Sequence, residues 1–206
     1  MEYLSLIATV TVINIVGAIS PGPDFVMCVR NSLLYSRKTG IYTGIGISLG
    51  LVIHLTYSAA GIALIISKSI ILFSIIKYLG AAYLAYMGIS SILAKKTSLQ
   101  IRETGQKEDI SKLKAIKIGF LTNILNPKAS IFFLGLFTLV IGSKTPLYVL
   151  AIITCIIILT AFSWFSLVAI LFTQKIIKDN FLKIEKTLNY IFGCLLIILS
   201  IKIALV

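Results

Sequence analysis

Charged residues are scarce. Asp, Glu, Lys and Arg make up 13% of the 206 residues, against roughly 25% in soluble domains. Hydrophobic residues make up 58%. A soluble chain of this length still exposes about 30% of its unfolded surface, and there is too little polar surface here to cover that area. Hydrocarbon must therefore solvate much of the outside. Histidine occurs once, as His54, and the three cysteines, Cys28, Cys155 and Cys194, lie apart in apolar stretches with no CxxC spacing. That set offers no tetrahedral metal site and leaves the cysteines as small buried hydrophobes; neither metal nor cofactor is expected. At depth only Asp24, Lys128 and His54 are available, with no second carboxylate and no HExxH. An intramembrane enzyme would lack its nucleophile and base. No repeated filter or ring of charge marks a channel. The N-terminus lacks the basic n-region and the cleavage site of a signal peptide and reads as the first membrane helix.

What the chain has in quantity is long apolar stretches. A transmembrane helix needs about 20 such residues, and residues 4–29, 39–67, 69–94, 118–141, 145–174 and 187–204 each qualify. The expected fold is an all-α integral membrane protein of about six transmembrane helices, a single membrane domain over 1–206. The formal net charge of +12 would point a soluble chain to nucleic acid. Here the cations sit at the ends of apolar segments, as topology signals do, so the partner is the lipid bilayer and not nucleic acid. Arg30, Arg37 and Lys38 follow the first stretch; Lys95, Lys96, Arg102, Lys107, Lys112, Lys114 and Lys117 follow the third; Lys175, Lys178, Lys183 and Lys186 follow the fifth. Fourteen of nineteen cations thus share one side, which the positive-inside rule makes cytoplasmic, with both termini outside. Lys68, Lys144 and Lys202 remain on the other side, and Lys77 can snorkel there. The link over 95–117 is expected to be a solvated cytoplasmic loop.

The two halves, 1–94 and 118–206, look like repeats. Ser20-Pro21 aligns with Asn126-Pro127 at an offset of 106, and Lys77-Tyr78-Leu79-Gly80 with Lys186-Thr187-Leu188-Asn189 at 109. Three helices in each half force the second half to enter from the opposite face, giving two inverted three-helix repeats, an architecture common in secondary transporters.

Proline breaks the first and fourth helices. Pro21 and Pro23 free the carbonyls of Gly17 and Ile19, and Pro127 frees that of Asn123. Irregular backbone at membrane depth is tolerated only against protein or a wet cavity. Ser and Asn are favoured N-caps and Pro is favoured at the first helical position, so Ser20-Pro21 and Asn126-Pro127 both read as starts of half-helices. Their free N–H groups and positive dipole ends suit a carboxylate. Asp24 and Lys128 lie within a turn of these breaks, where a charge costs about 2.5–3.5 kcal/mol on the lenient insertion scale. Such a pair binds substrate, couples protons, clamps the halves together as a salt bridge, or sits incidentally beside a wet vestibule. The candidate substrate-binding and coupling residues are therefore Ser20, Pro21, Gly22, Pro23, Asp24, Asn123, Asn126, Pro127 and Lys128. Asn123 stands close to its own freed carbonyl and either contacts solute or repairs the break.

His54 lies near the middle of the second stretch. A lone buried histidine ordinarily has a satisfied hydrogen bond and no further role; the sharper alternative is a proton relay, since its pKa lies near neutrality. Gly40/Gly44 and Gly46/Gly50 form GxxxG pairs, which serve close packing within the chain or association into a homo-oligomer. Tyr83, Tyr86 and Trp164 anchor interfaces or line a path. Asn31, near the cytoplasmic end of the first helix, caps or hydrogen-bonds locally.

The stretch Ser20-Pro21-Gly22-Pro23-Asp24-Phe25, the run from Gly119 through Asn126-Pro127-Lys128-Ala129, and Lys77-Tyr78-Leu79-Gly80-Ala81-Ala82-Tyr83-Leu84 resemble the LysE/RhtB family of amino-acid exporters. The resemblance covers essentially the whole chain. Ala161-Phe162-Ser163-Trp164-Phe165 and residues 137–142 look more like its threonine and homoserine exporters than its lysine or arginine ones. The resemblance implies a bacterial inner-membrane protein that exports a small amino acid, driven by protons; it does not fix the cargo. The alternative is a passive channel or a non-transporting scaffold, which would move no solute uphill.

Overall fold

Apolar runs free of proline propagate as helices, and the chain turns aside where proline enters. The computed structural model describes residues 2–68, 70–93, 108–140 and 145–205. Among the described residues the elements are all helices: α1 (Glu2–Ile19), α2 (Pro23–Leu34), α3 (Arg37–Lys68), α4 (Ile70–Ile92), α5 (Lys112–Ile124), α6 (Pro127–Val140), α7 (Leu147–Leu171) and α8 (Lys175–Leu205). Residues 95–107 of the expected link, with Lys95, Lys96, Arg102 and Lys107, lie outside the described residues, as do Lys144 and residues 141–142 of the 137–142 stretch. The side chains of Lys68, Tyr83, Lys175, Lys178 and Lys202 also lie outside the described set.

Among the described residues three helices are each long and apolar enough to cross a membrane: Arg37–Gly61 within α3, Leu147–Leu171, and Lys186–Leu205 within α8. Two bent pairs pass together, α1 with α2 at 52° and α5 with α6 at 59°, giving up to five spans by length and composition. The bends fall at the expected prolines. α4 is 23 residues long, and Lys77 is its only charged residue. Two boundaries differ from the sequence reading. The end of the expected link is already helical, because Ser111 caps α5 by accepting from the Lys114 N–H at 3.3 Å. α8 starts at Lys175 rather than near 187, since nothing between 175 and 186 is proline or glycine to stop it.

Small residues let the helices close on one another, as membrane packing requires when water supplies no drive between them. α3 crosses α5 where a Cβ on Gly46 would overlap the Ile116 carbonyl, and one on Gly119 would overlap the Thr43 carbonyl. The other GxxxG glycines are used within the chain too: Gly40 against Ser32, Gly44 against Phe165, Gly50 against Asn123. α4 meets α8 through Gly88 and Gly193, each facing the other's carbonyl. The outside is apolar, with Leu79, Leu93, Leu147 and Leu159 well exposed. Cys28 is buried, but Cys155 lies on that exposed surface.

Two hydrogen bonds gather the polar turns at one end of the bundle. Thr39 Oγ1 donates to Asp109 Oδ1 at 2.8 Å, and Arg37 Nε to Thr173 Oγ1 at 2.9 Å. They bring together the α2–α3 turn, the approach to α5 and the exit of α7. The basic side chains Arg30, Lys38, Lys112, Lys114 and Lys117 near these turns are exposed.

Gly119→Val overpacks the α3–α5 crossing and is expected to destabilise the protein by about 1–3 kcal/mol, read as a lower thermal midpoint in detergent. Gly61→Ala is the control, because a Cβ there meets nothing within 4 Å, and it leaves the midpoint unchanged or slightly raised.

Candidate functional site

The two helix breaks meet. At the first, α1 ends at Ile19, and the chain passes Ser20 and Pro21 before α2 begins at Pro23. Gly22 is the N-cap residue, in extended conformation and without a side-chain cap bond. Ser20 therefore does not cap the half-helix as the sequence reading expected. The second proline, Pro23, takes the favoured first helical position and shifts the start two residues on. At the second break Asn126 does cap: its Oδ1 accepts from the Lys128 N–H at 3.0 Å, ahead of Pro127 at the first position of α6.

Each break sends its charged side chain to the other. Asp24, on α2, places Oδ2 where it accepts from Asn123 Nδ2 at 2.9 Å and Asn126 Nδ2 at 3.0 Å. Lys128, on α6, donates from Nζ to Ser20 Oγ at 3.0 Å and to the Pro21 carbonyl at 3.2 Å. The same ammonium sits 4.6 Å over the Phe192 ring, an attraction between cation and ring face. Gly22 lies beside this crossing, where a Cβ would stand in ordinary contact, 3.4 Å from Nζ. The expected clamp between Asp24 and Lys128 is thus indirect. Neutral amides, a hydroxyl and a carbonyl hold the two charges, and Asp24 Oδ1 is buried with no hydrogen-bond partner.

The freed Asn123 carbonyl is repaired twice. It accepts from the Asn126 N–H at 2.9 Å, and His54 Nε2 stands 2.9 Å from it. A carbonyl only accepts, so His54 carries its proton on Nε2. Nδ1 then accepts from the Tyr57 hydroxyl at 2.8 Å. His54 is 1% exposed and anchors α3 to the second break.

The crossed charges border one cavity of about 70 Å³, lined at its polar end by Ser20, Gly22, Asp24, Asn123, Asn126 and Lys128; His54 stands behind Asn123 and does not line it. Pro21, Pro23 and Pro127 shape the breaks without lining it. Phe132, Phe133, Phe165 and Phe192 build its apolar wall. Neither that wall nor Asn14, which also lines the cavity, stands out in the sequence as a motif. The available signal for Asn14 was a side-chain amide inside an apolar helix whose other interior polar residues are the hydroxyls Ser5, Thr9 and Thr11. Asn31 is fully buried and donates to Thr43 Oγ1 at 3.0 Å, away from the cavity.

These features define a polytopic helical membrane protein with a charged site inside it. The model of the LysE type translocator matches residues 15–206, and the chain belongs to that family. It is accordingly a translocator and not an enzyme. A membrane protein of Bacillus subtilis (strain 168), YrhP, is 32% identical over the full chain and 98% of its own length. The threonine efflux protein of Escherichia coli (strain K12) is 29% identical over 93% of this chain and 94% of its own, and that of Salmonella typhi 30% over the same shares. No solved structure matches.

Asn126→Ala removes both the α6 cap and a donor to the Asp24 carboxylate. It is expected to cost about 2–4 kcal/mol in reversible unfolding from detergent. Thr122→Ala, whose hydroxyl only bonds back to the Ile118 carbonyl at 2.8 Å, should cost less than about 1 kcal/mol.

Proposed function

We propose that the protein is a secondary transporter exporting a small neutral amino acid, threonine or homoserine first, across the bacterial inner membrane and powered by the proton gradient. The observation that carries this reading is the pair of crossed charges beside one cavity. An orphaned carboxylate oxygen suits an ammonium, and the Lys128 ammonium has three donors, only two of which make hydrogen bonds among the described residues. A zwitterion presents the complement of both. The cavity, of about 70 Å³, is small, which favours a short solute over a lysine-length one. The threonine efflux relatives support the cargo class.

The substrate-binding residues in this reading are Asp24 and Lys128, with Ser20, Gly22, Asn123 and Asn126 holding them and Pro21, Pro23 and Pro127 making the breaks. His54 acts as a strut on Asn123 in the resting geometry. As a relay it would have to release that carbonyl first, because a carbonyl has no proton to pass on.

Counting α4 as a crossing makes six, arranged as the inverted repeats 1–94 and 118–206 of a single domain. The exchange of charges between the breaks supports this, and so does the contact of α4 with α8. A Cβ on Gly88 would meet the Gly193 carbonyl and Ile197, while one on Gly193 would meet the Gly88 carbonyl and Ile92. Mutual contacts of this kind belong to a two-fold axis. The glycines are 105 residues apart, close to the offset of the breaks. The basic end of the bundle is cytoplasmic in this arrangement, with both termini outside.

Export from cells loaded with amino-acid dipeptides tests the reading. Expression should lower intracellular threonine or homoserine and raise it in the medium, against the concentration gradient and only while the proton gradient stands. No change across a broad amino-acid panel defeats it; flux that never runs uphill makes the protein a channel. Asp24→Asn and Lys128→Ala should each cut efflux at least about ten-fold, as loss of one charged contact does, with membrane insertion intact. Normal efflux from both returns the pair to a structural role.

A further inference from the structure

One polar side chain of the cavity lining belongs to neither break. Asn14 lies on α1, six residues before Ser20, or about 9 Å of helical rise from it. It shares a stripe with Val10, Gly17 and Ala18, the i, i+4, i+7, i+8 pattern of an inward face. Val10 is 2% exposed, and Gly17 and Ala18 line the cavity. An apolar residue is the ordinary occupant of such a position. Asn14 is instead 3% exposed, and its Nδ2 has no hydrogen-bond partner. A buried amide left in that state carries a desolvation cost that nothing in the protein offsets. Leu51, Ala161, Phe132 and Phe133, which line the same cavity, have no side-chain polar atom to offer it. The polar ends of the cavity are thus Asp24 and Lys128 at the breaks and Asn14 further along α1.

Resting on the exporter reading, we infer that Asn14 is a specificity residue that hydrogen-bonds a side-chain hydroxyl of the transported amino acid. In this arrangement Asp24 Oδ1 takes the α-ammonium, the third N–H of Lys128 takes the α-carboxylate, and the Asn14 amide reads the far end. The ligand class is a zwitterion with a short, hydroxylated side chain. An isosteric apolar side chain fills the same space and leaves the amide unpaired, which is the arrangement that discriminates most strongly between two solutes of one shape.

The test is counterflow in liposomes containing the purified protein, with labelled threonine, serine, valine and 2-aminobutyrate. Threonine and valine differ by a hydroxyl for a methyl. The wild type is expected to favour threonine over valine by about ten-fold, the worth of one well-made hydrogen bond. Asn14→Leu, close to isosteric, should bring that ratio to within about two-fold of unity, and serine over 2-aminobutyrate should move in parallel. Asn14→Ala removes the amide without adding apolar bulk, and it carries the test if the leucine variant lacks a cooperative thermal transition. A ratio unchanged in a folded variant overturns the inference and leaves the exporter reading standing. Wild-type vesicles that move none of the four solutes overturn both.

Discussion

The structure turns on an exchange of charges between two interrupted helices. Asp24 reaches from α2 into the second break, where two amide side chains hold it; Lys128 reaches from α6 into the first, where a hydroxyl and a carbonyl hold it. Neither charge can be placed without the other break being present. Each interruption supplies polar backbone or capping groups that would be intolerable against lipid, and each is made tolerable by the side chain arriving from the other. The breaks are therefore one feature, and the bends of 52° and 59° are its two halves.

The rest of the packing serves this meeting. α3 lies close against α5 because Gly46 and Gly119 carry no side chain, and that approach lets His54 reach the Asn123 carbonyl. Gly50 does the same one turn on, where a Cβ would stand 2.7 Å from Asn123 Oδ1. Glycine here does not relax the backbone, since no residue among those described has a positive φ; it removes bulk so that one helix can brace another's break. In hydrocarbon that closeness is how helices gain contact energy at all.

Much of this was legible in the sequence. Proline inside an apolar run locates both breaks, and a charge within a turn of each marks the pair at the centre. Asn126 as a cap was readable because Asn before Pro is a strong local signal. Ser20 was misread because two prolines compete: Pro23 takes the helical start, and Gly22 precedes it in extended form. The starts of α5 and α8 were set too late because a hydropathy boundary is not a helix boundary; Ser111 caps the one, and nothing stops the other. The partners of Asp24 were not readable as partners, since a hydrogen bond across roughly a hundred residues leaves no local pattern. The aromatic wall was equally silent. A phenylalanine facing a cavity and one facing lipid are the same letter in an apolar run, and only packing separates them.

That the charges are held by neutral groups, and not by each other, bears on what the site can do. A direct buried ion pair satisfies both partners, and a solute entering it must break the pair and leave each charge exposed to low dielectric. Here each charge keeps part of its capacity: among the described residues one carboxylate oxygen has no donor, and the ammonium donates only two of its three possible hydrogen bonds, with the Phe192 ring face beside it. A zwitterion can join such a site by addition and need not displace anything. The amides of Asn123 and Asn126 would stay on Asp24 as it binds, and Ser20 would stay on Lys128. Binding would then tighten the link between the two breaks without first dissolving it. That gives a bound solute a differential hold on whichever arrangement keeps the breaks together, and differential affinity for one arrangement is what a ligand needs to bias a conformational equilibrium.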